Sequence, residues 1–266
     1  MKSIKIELSN ELKRIKIITL ADLHIGSKQC NMELVNTLVD KIKNNPDVYC
    51  VLNGDLIDNA VISSVANSYE QSCNPMQQVE TILELLQPIK DKILCITSGN
   101  HEMRTNRDVG LDITKFVACA LGLKERFCED GSGIIFLSVG ELNTVRTDHK
   151  GKRQVKYTIF VSHGKRGGGT LGGKINYLKQ YENVVTNCDL YLGSHTHQAS
   201  IFPTSTFEAD VRNSTIIRRD KLFVSNGATL EYGGYGEQAV YQPQTMVYPT
   251  VELGGEKKSM VAYMEI

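Results

Sequence analysis

Five short segments of this chain carry residue types that bind metal ions: Asp22-Leu23-His24, Gly54-Asp55-Leu56-Ile57-Asp58, Gly99-Asn100-His101-Glu102, Ser162-His163-Gly164 and His195-Thr196-His197. Carboxylate, imidazole and amide together suit ions such as Mn, Fe, Zn or Ni better than Ca or Mg. The set is too large for one tetrahedral zinc, so it points to a pair of ions and to metal-assisted chemistry. Five of the six histidines, His24, His101, His163, His195 and His197, stand at the end of an apolar run beside Asp, Asn or Gly. One such histidine is ordinarily a satisfied structural residue. Five placed alike are not explained by packing.

The elements that must position these residues follow from the apolar runs. Ile15 to Leu20, Val48 to Leu52, Ile93 to Thr97, Val155 to Val161 and Cys188 to Leu192 read as strands, and each runs directly into one of the segments. On an extended backbone, Asp22 and His24 would project to the same side, and so would His195 and His197. Leu34, Leu38, Val39 and Ile42 have helical spacing, as do Val79 to Leu86, stopped by Pro88, and Asp108 to Leu121, with Asp108 as N-cap and Gly122 as stop. Three βα units in succession predict a layered α/β sheet with its chemistry on the carboxyl edge.

The second half is richer in strands. Gly133 to Val139 and Val155 to Val161 predict a hairpin whose tip is Thr147 to Lys152. Ile175 to Tyr181 suggests a short helix. The tail, with Lys221 to Gly227 and a last strand Met260 to Ile266, looks like a second sheet closing a sandwich. The Gly-rich loop after His163 opens with Lys165 and Arg166, two cations that can meet an anion together with backbone N–H groups. For the stretch Tyr232 to Gly236, packing and a substrate-side loop are both open readings.

Composition bounds the partners. With 30 Lys plus Arg against 30 Asp plus Glu in 266 residues, there is no global field to draw the chain onto nucleic acid or an anionic membrane. Any phosphate affinity must be local. The amino-terminal Met1 to Glu7 alternates like a strand and carries acid too early for a secretory leader, which predicts a cytoplasmic protein without a membrane segment. Seven scattered cysteines with no Cys-x-x-Cys pair read as small core residues of a reduced protein, Cys50, Cys95 and Cys119 among them. One domain over residues 1–266 is expected.

The order and spacing of the five segments resemble the calcineurin-like metallophosphoesterase superfamily. The resemblance implies a four-layer α/β/β/α sandwich. It also implies that Asp22, His24 and His197 hold one divalent ion and Asn100, His163 and His195 a second, Asp55 bridging them, with Mn the first expectation for both. His101 would serve the leaving oxygen without binding metal, and Asp58 would orient His101. The implied reaction is hydrolysis of a phosphodiester by in-line attack of a hydroxide that bridges the ions. The sequence departs from the family pattern in two places. Ser194 stands where a glycine usually precedes the first histidine of the last motif, which a negative φ would accommodate. Asn59-Ala60 stands where the Ser/Thr phosphatase branch has Arg-Gly, which speaks against a protein phosphatase. A phosphoester substrate, including a nucleotide or nucleic acid, is the implied partner. A relative of the DNA-repair nucleases is the alternative activity, although the chain is expected to be too short for their added domains. A non-catalytic scaffold that keeps the metals is the alternative from another class.

Overall fold

In the computed structural model, residues 1–62, 64, 68–142, 153–165, 169–238, 240 and 242–265 are described. The predicted hairpin tip at 147–152 and Arg166 lie outside them. The chain begins with strands β1 (Lys2–Glu7) and β2 (Arg14–Leu20), then helix α1 (Met32–Asn44), β3 (Val48–Asn53), α2 (Pro75–Leu86) and β4 (Ile93–Thr97). Helices α3 (Glu102–Val109) and α4 (Ile113–Ala120) precede β5 (Phe127–Cys128), β6 (Ser132–Val139) and β7 (Val155–Ser162). Then come α5 (Leu171–Lys179), β8 (Leu190–Gly193), β9 (Ser200–Asp210), β10 (Thr215–Ser225), α6 (Gly234–Gln238), β11 (Thr250–Gly254) and β12 (Met260–Tyr263).

Two six-stranded sheets result, one ordered β12-β11-β2-β3-β4-β5 and the other β1-β6-β7-β8-β10-β9. In the first sheet β2, β3, β4 and β5 are mutually parallel, as the βα units predict. The strands are buried on both faces and so read as unbroken apolar runs. In β2, Ile15 and Ile17 join the core between the two sheets, while Ile18 and Leu20 face the helices. Those helices are amphipathic: α1 buries Val35, Leu38, Val39 and Ile42, and α2 buries Val79, Ile82 and Leu86. Asn31 caps α1, and Asn74 closes a capping box with Gln77 on α2. A third core, with Phe160, Tyr191 and Phe223, lies between the second sheet and α5, where Leu178 and the following Tyr181 pack. Helix layer, sheet, sheet and helix make four layers, a mixed α/β sandwich.

Several expectations are corrected. The predicted helix from Asp108 to Leu121 is two helices: Gly110, at φ 73°, ends α3, and Asp112 rather than Asp108 caps α4 by accepting from Lys115 N–H at 2.9 Å. The tail does not form one closing sheet. β10 joins β6, β7 and β8, whereas β11 and β12 extend the first sheet beside β2. The strand β9 was not expected. It forms an eleven-residue antiparallel pairing with β10 and lies at a sheet edge, where Pro203 is tolerated. Cys50 and Cys95 are buried, but Cys119 is exposed on the outward face of α4. Among the described residues no helix is long and apolar enough to cross a membrane.

Candidate metal centre and active site

The carboxyl ends of β2, β3 and β4 from one sheet and of β7, β8 and β10 from the other meet at one edge of the sandwich. A chain of buried hydrogen bonds holds them there. Thr97 Oγ1 donates to Asn53 Oδ1 at 2.7 Å, and Asn53 Nδ2 donates to Ser194 Oγ at 2.7 Å and to the Ser162 carbonyl at 3.0 Å. Ser194 Oγ donates to Asn226 Oδ1 at 2.8 Å, and Asn226 Nδ2 reaches the Ala21 carbonyl and Asp22 Oδ2. The chain therefore crosses from the first sheet to the second and back. Ser194, the departure from the family pattern, is a link in it, and its φ is not positive.

The strands do not carry the site residues in extended geometry. Asp22, His24, Asp55, His195 and His197 all have φ between 49° and 70°, in the left-handed region that only Gly, Asn, Asp and His visit readily. Convergence of the i, i+2 pairs therefore comes from a sharp turn at each strand end and not from pleating. Such turns persist where surroundings over-determine them, and a glutamate does so here. Buried Glu102, first residue of α3, accepts the N–H of Asp55 at 3.0 Å, Leu56 at 2.7 Å, Ile57 at 3.3 Å and Gly99 at 2.9 Å. The turns after β3 and β4 touch closely. A Cβ on Gly99 would stand 2.1 Å from Asp55 Oδ1, and Gly54 has φ 78° against the Gly99 backbone, so neither position admits a side chain.

The structure gathers the expected residues in two adjacent groups. In the first, donor atoms of Asp22, His24 and His197 lie within 4.8 Å of one another. His24 Nε2 is 3.2 Å from His197 Nε2, which is 3.5 Å from Asp22 Oδ1. In the second, donor atoms of Asp55, His163 and His195 lie within the same limit. His163 Nε2 is 3.2 Å from Asp55 Oδ2 and 3.3 Å from Asn100 Oδ1. Acceptor-type atoms packed this closely, three in each group, repel unless a proton or cation stands between them. A divalent ion bound at roughly 2.1 Å sets neighbouring ligand atoms roughly 3.0 to 3.4 Å apart, the spacing seen. The donor set therefore fits divalent ions.

Outer contacts fix the tautomers. His163 Nδ1 lies 2.6 Å from the Asn53 carbonyl, which leaves Nε2 facing Asp55. Asp55 Oδ1 accepts the His101 N–H at 2.8 Å, so its Oδ2 is the free oxygen. His101 Nδ1 lies 2.7 Å from the Asp58 carbonyl and 3.3 Å from Asp58 Oδ1. The same carboxylate oxygen is 3.3 Å from His24 Nδ1, and Gln71 Nε2 donates to its partner oxygen. His101 Nε2 points toward Asp55 Oδ2 at 3.9 Å.

The field in the pocket follows from burial and pairing. Burial, opposed in part by His163, raises the Asp22 carboxyl to about 7. Burial lowers His24, and burial with the neighbouring His163 lowers His195 to about 4. For His163 burial is outweighed by Asp55, and the imidazole is raised to about 10. Neutral imidazoles sit beside one carboxyl in the first group, which calls for extra positive charge, and a carboxylate–imidazolium pair sits in the second, where an ion would take the place of the imidazolium proton.

The family model described as calcineurin-like phosphoesterase matches residues 15–199, which include every residue of both groups. The chain belongs to the calcineurin-like phosphoesterase family. This family member aligns with solved structures at low identity. A conserved uncharacterized protein, a predicted phosphoesterase from Streptococcus pneumoniae TIGR4, is 14% identical with TM-score 0.36, covering 96% of this chain and 99% of that one. A metallophosphoesterase from Sphaerobacter thermophilus is 11% identical with TM-score 0.40, covering 95% and 89%. Wild-type Vps29 complexed with zinc, from Entamoeba histolytica, is 10% identical with TM-score 0.37, covering 94% and 98%. No curated protein matches the sequence.

Sequence reasoning missed the residues of this phosphoesterase that hold the site rather than line it: Asn53, Asn59, Arg104, Ser194, Asn226 and the backbone-gathering role of Glu102. Ser194 and Asn59 carried a signal as departures from the family pattern, and Glu102 as a letter of its segment, but none was read as holding the site. Lys165 is exposed, and its N–H donates to Tyr177 Oη at 2.9 Å. The stretch from Tyr232 packs beside the turn that follows His24, where Glu231 N–H reaches the Gln29 carbonyl.

Proposed function

We propose that this chain is a dinuclear-metal phosphodiesterase. The observation that supports the reading is the pair of adjacent donor groups with His101 beside them, its Nδ1 fixed on Asp58 and its Nε2 turned toward Asp55 Oδ2. Asp22, His24 and His197 would hold one ion and Asn100, His163 and His195 the other, with Asp55 between them. When bound, the ions supply Lewis-acid polarisation of a phosphate oxygen and a water of lowered pKa, Mn being the first candidate.

The protein's own groups do the rest. Glu102 and the Asn53–Ser194–Asn226 chain hold the ligands in place. Asp58 holds the His101 ring in one orientation, so that Nε2 can hand a proton to the departing alkoxide. Proton donation by a positioned histidine contributes about 10²- to 10⁴-fold to a rate. Diesters are favoured because position 59 carries Asn, not the arginine of the Ser/Thr phosphatase branch. Lys165 and Arg166 are proposed as further phosphate contacts.

The test is turnover of bis-p-nitrophenyl phosphate and of p-nitrophenyl phosphate by metal-stripped protein reloaded with Mn, beside single-stranded DNA, duplex DNA and cyclic nucleotides. Preferential, metal-dependent cleavage of the diester, lost at least 100-fold in His101→Ala, is expected. Turnover of neither ester by the unmodified protein would leave the scaffold reading standing, and DNA as the only substrate would assign a nuclease.

A further inference from the structure

Arg104 lies in the first turn of α3, half-buried, with its guanidinium above the site. Nη1 donates to the Asp58 carbonyl at 2.9 Å and reaches the Asn59 carbonyl at 3.5 Å, while Nη2 lies 2.9 Å from His101 Nε2. These partners are all neutral acceptors. Among the described residues no carboxylate oxygen lies within 4 Å of the guanidinium, although every aspartate and histidine around it is engaged. Asp58, Asp55 and Glu102 favour the charged guanidinium from beyond hydrogen-bond reach, and a planar fork of N–H donors matches phosphate oxygens better than it matches a single imidazole nitrogen.

The placement is fixed by the residue that stands where the phosphatase branch carries its arginine. Asn59, held at φ 43°, turns its side chain away from the site and onto α3. Its Nδ2 donates to the His101 carbonyl at 2.7 Å and to Thr105 Oγ1 at 2.9 Å, and Asn59 N–H is held by Gln78 Oε1 at 2.8 Å. The clamp sets the rotation of α3 about its axis, and that rotation carries Arg104 over His101. The helix buries little apolar surface of its own, since Glu102 is its one buried residue, so these polar contacts decide how it sits.

Resting on the phosphoesterase reading above, we propose that Arg104 is a phosphate-binding residue of this site, its guanidinium exchanging the His101 contact for a non-bridging oxygen of the bound phosphoester, with Asn59 and Thr105 as the positioning pair. Nη2 and His101 Nε2 stand a hydrogen bond apart with Nε2 accepting, so His101 carries the proton it hands to the leaving oxygen only once the guanidinium has turned to the phosphate, and an oxygen between Nη2 and the Asp55 side meets both groups. The guanidinium reaches the site from α3, 45 positions beyond Asn59, and restores from another element the cation that the sequence lacks after Asp58.

The experiment measures binding of inorganic phosphate to the zinc-loaded protein by calorimetry, alongside the NMR shift of the Arg104 Nε–H during the same titration, and KM and kcat on bis-p-nitrophenyl phosphate. Arg104→Gln should weaken phosphate binding on the order of 10- to 100-fold and raise KM more than it lowers kcat, whereas His101→Ala should act chiefly on kcat. Arg104→Lys, which keeps charge and loses the fork, should fall between. Thr105→Val should weaken phosphate binding by a smaller factor. Phosphate affinity within twofold of the parent in folded Arg104→Gln or Arg104→Lys overturns the proposal, as does an Arg104 signal that does not move at saturation, or no saturable phosphate binding by the parent. The binding readout separates the two claims: phosphate bound through Arg104 without ester turnover would sink the enzymatic reading and leave this one intact.

Discussion

The strand-end network and the β9–β10 arm are both rich in polar and charged side chains, and they use them in opposite ways. At the strand ends Asn53, Asp55, Glu102, Ser194 and Asn226 are buried, and each is held by two or more hydrogen bonds to a different strand or loop. In the arm, the part between Thr206 and Asp220 is solvated: Phe207 and Ile216 are exposed, and Arg218 and Arg219 pair with Asp220 and Glu208 at exposed positions. The arm is anchored only at its base, where Phe223 stacks on Tyr191 and Phe202 at 4.5 and 5.0 Å between centroids. A polar group shapes a fold when water cannot replace its partner. At the strand ends water is excluded and in the arm it is not, and six non-glycine residues stand in left-handed conformations in the first region against Ser214 alone in the described arm.

The sharpest way to break that contrast is Glu102→Gln. Four backbone N–H groups share one carboxylate, and an amide would turn a donor toward them and remove the charge that strengthens them. The expected loss of stability is about 3 to 5 kcal/mol, roughly 10 °C in thermal midpoint for a chain of this size, read by calorimetry or denaturant titration. A loss under about 1 kcal/mol would mean that water reaches those amides and that the network is no different from the arm.

Ser194→Ala tests the next link. It removes the hydroxyl that accepts from Asn53 and donates to Asn226, leaving Asn226 Oδ1 without that donor and Asn53 Nδ2 with only the Ser162 carbonyl for its two hydrogens. A cost of about 2 kcal/mol is expected. Because Asn226 also holds Asp22, metal affinity should fall roughly 10-fold or more, as it does when outer partners of metal ligands are removed, measured by competition with a chelating dye. Unchanged affinity would detach this chain from the site.

What the sequence disclosed and what it withheld divide along the same line. The βα units of the first sheet were legible because strands buried on both faces and amphipathic helices are local patterns. The ligand-type residues were legible because their identities are their chemistry. Glu102 was visible as a letter of its motif, but its partners Asp55, Leu56 and Ile57 lie more than forty positions away. Arg104 falls between the Gly99–Glu102 segment and the run from Asp108, and the reading of Asp108 to Leu121 as one helix left out the turn that presents it. The i, i+2 pairs were read as extended when their backbone is left-handed, since hydropathy carries no record of φ. The strand β9 escaped because a solvated edge strand containing Pro203 lacks an apolar run.

The smallest effect is expected where the sequence looks most charged. Arg219 Nε lies 3.0 Å from Glu208 Oε2, with half of the arginine and over a third of the glutamate exposed, in the part of the arm that no apolar side chain covers. Surface pairs of this kind contribute from nothing to about 1 kcal/mol. Arg219→Ala and Glu208→Ala should each change stability by less than about 0.5 kcal/mol, with a coupling energy in the double variant below about 1 kcal/mol that shrinks further in 1 M salt. Metal affinity and phosphate binding should not move. A coupling above about 2 kcal/mol, insensitive to salt, would show that the arm is desolvated in solution, which in this fold requires something to cover Phe207 and Ile216. The contrast would then be between one network closed within the chain and another closed by a second molecule.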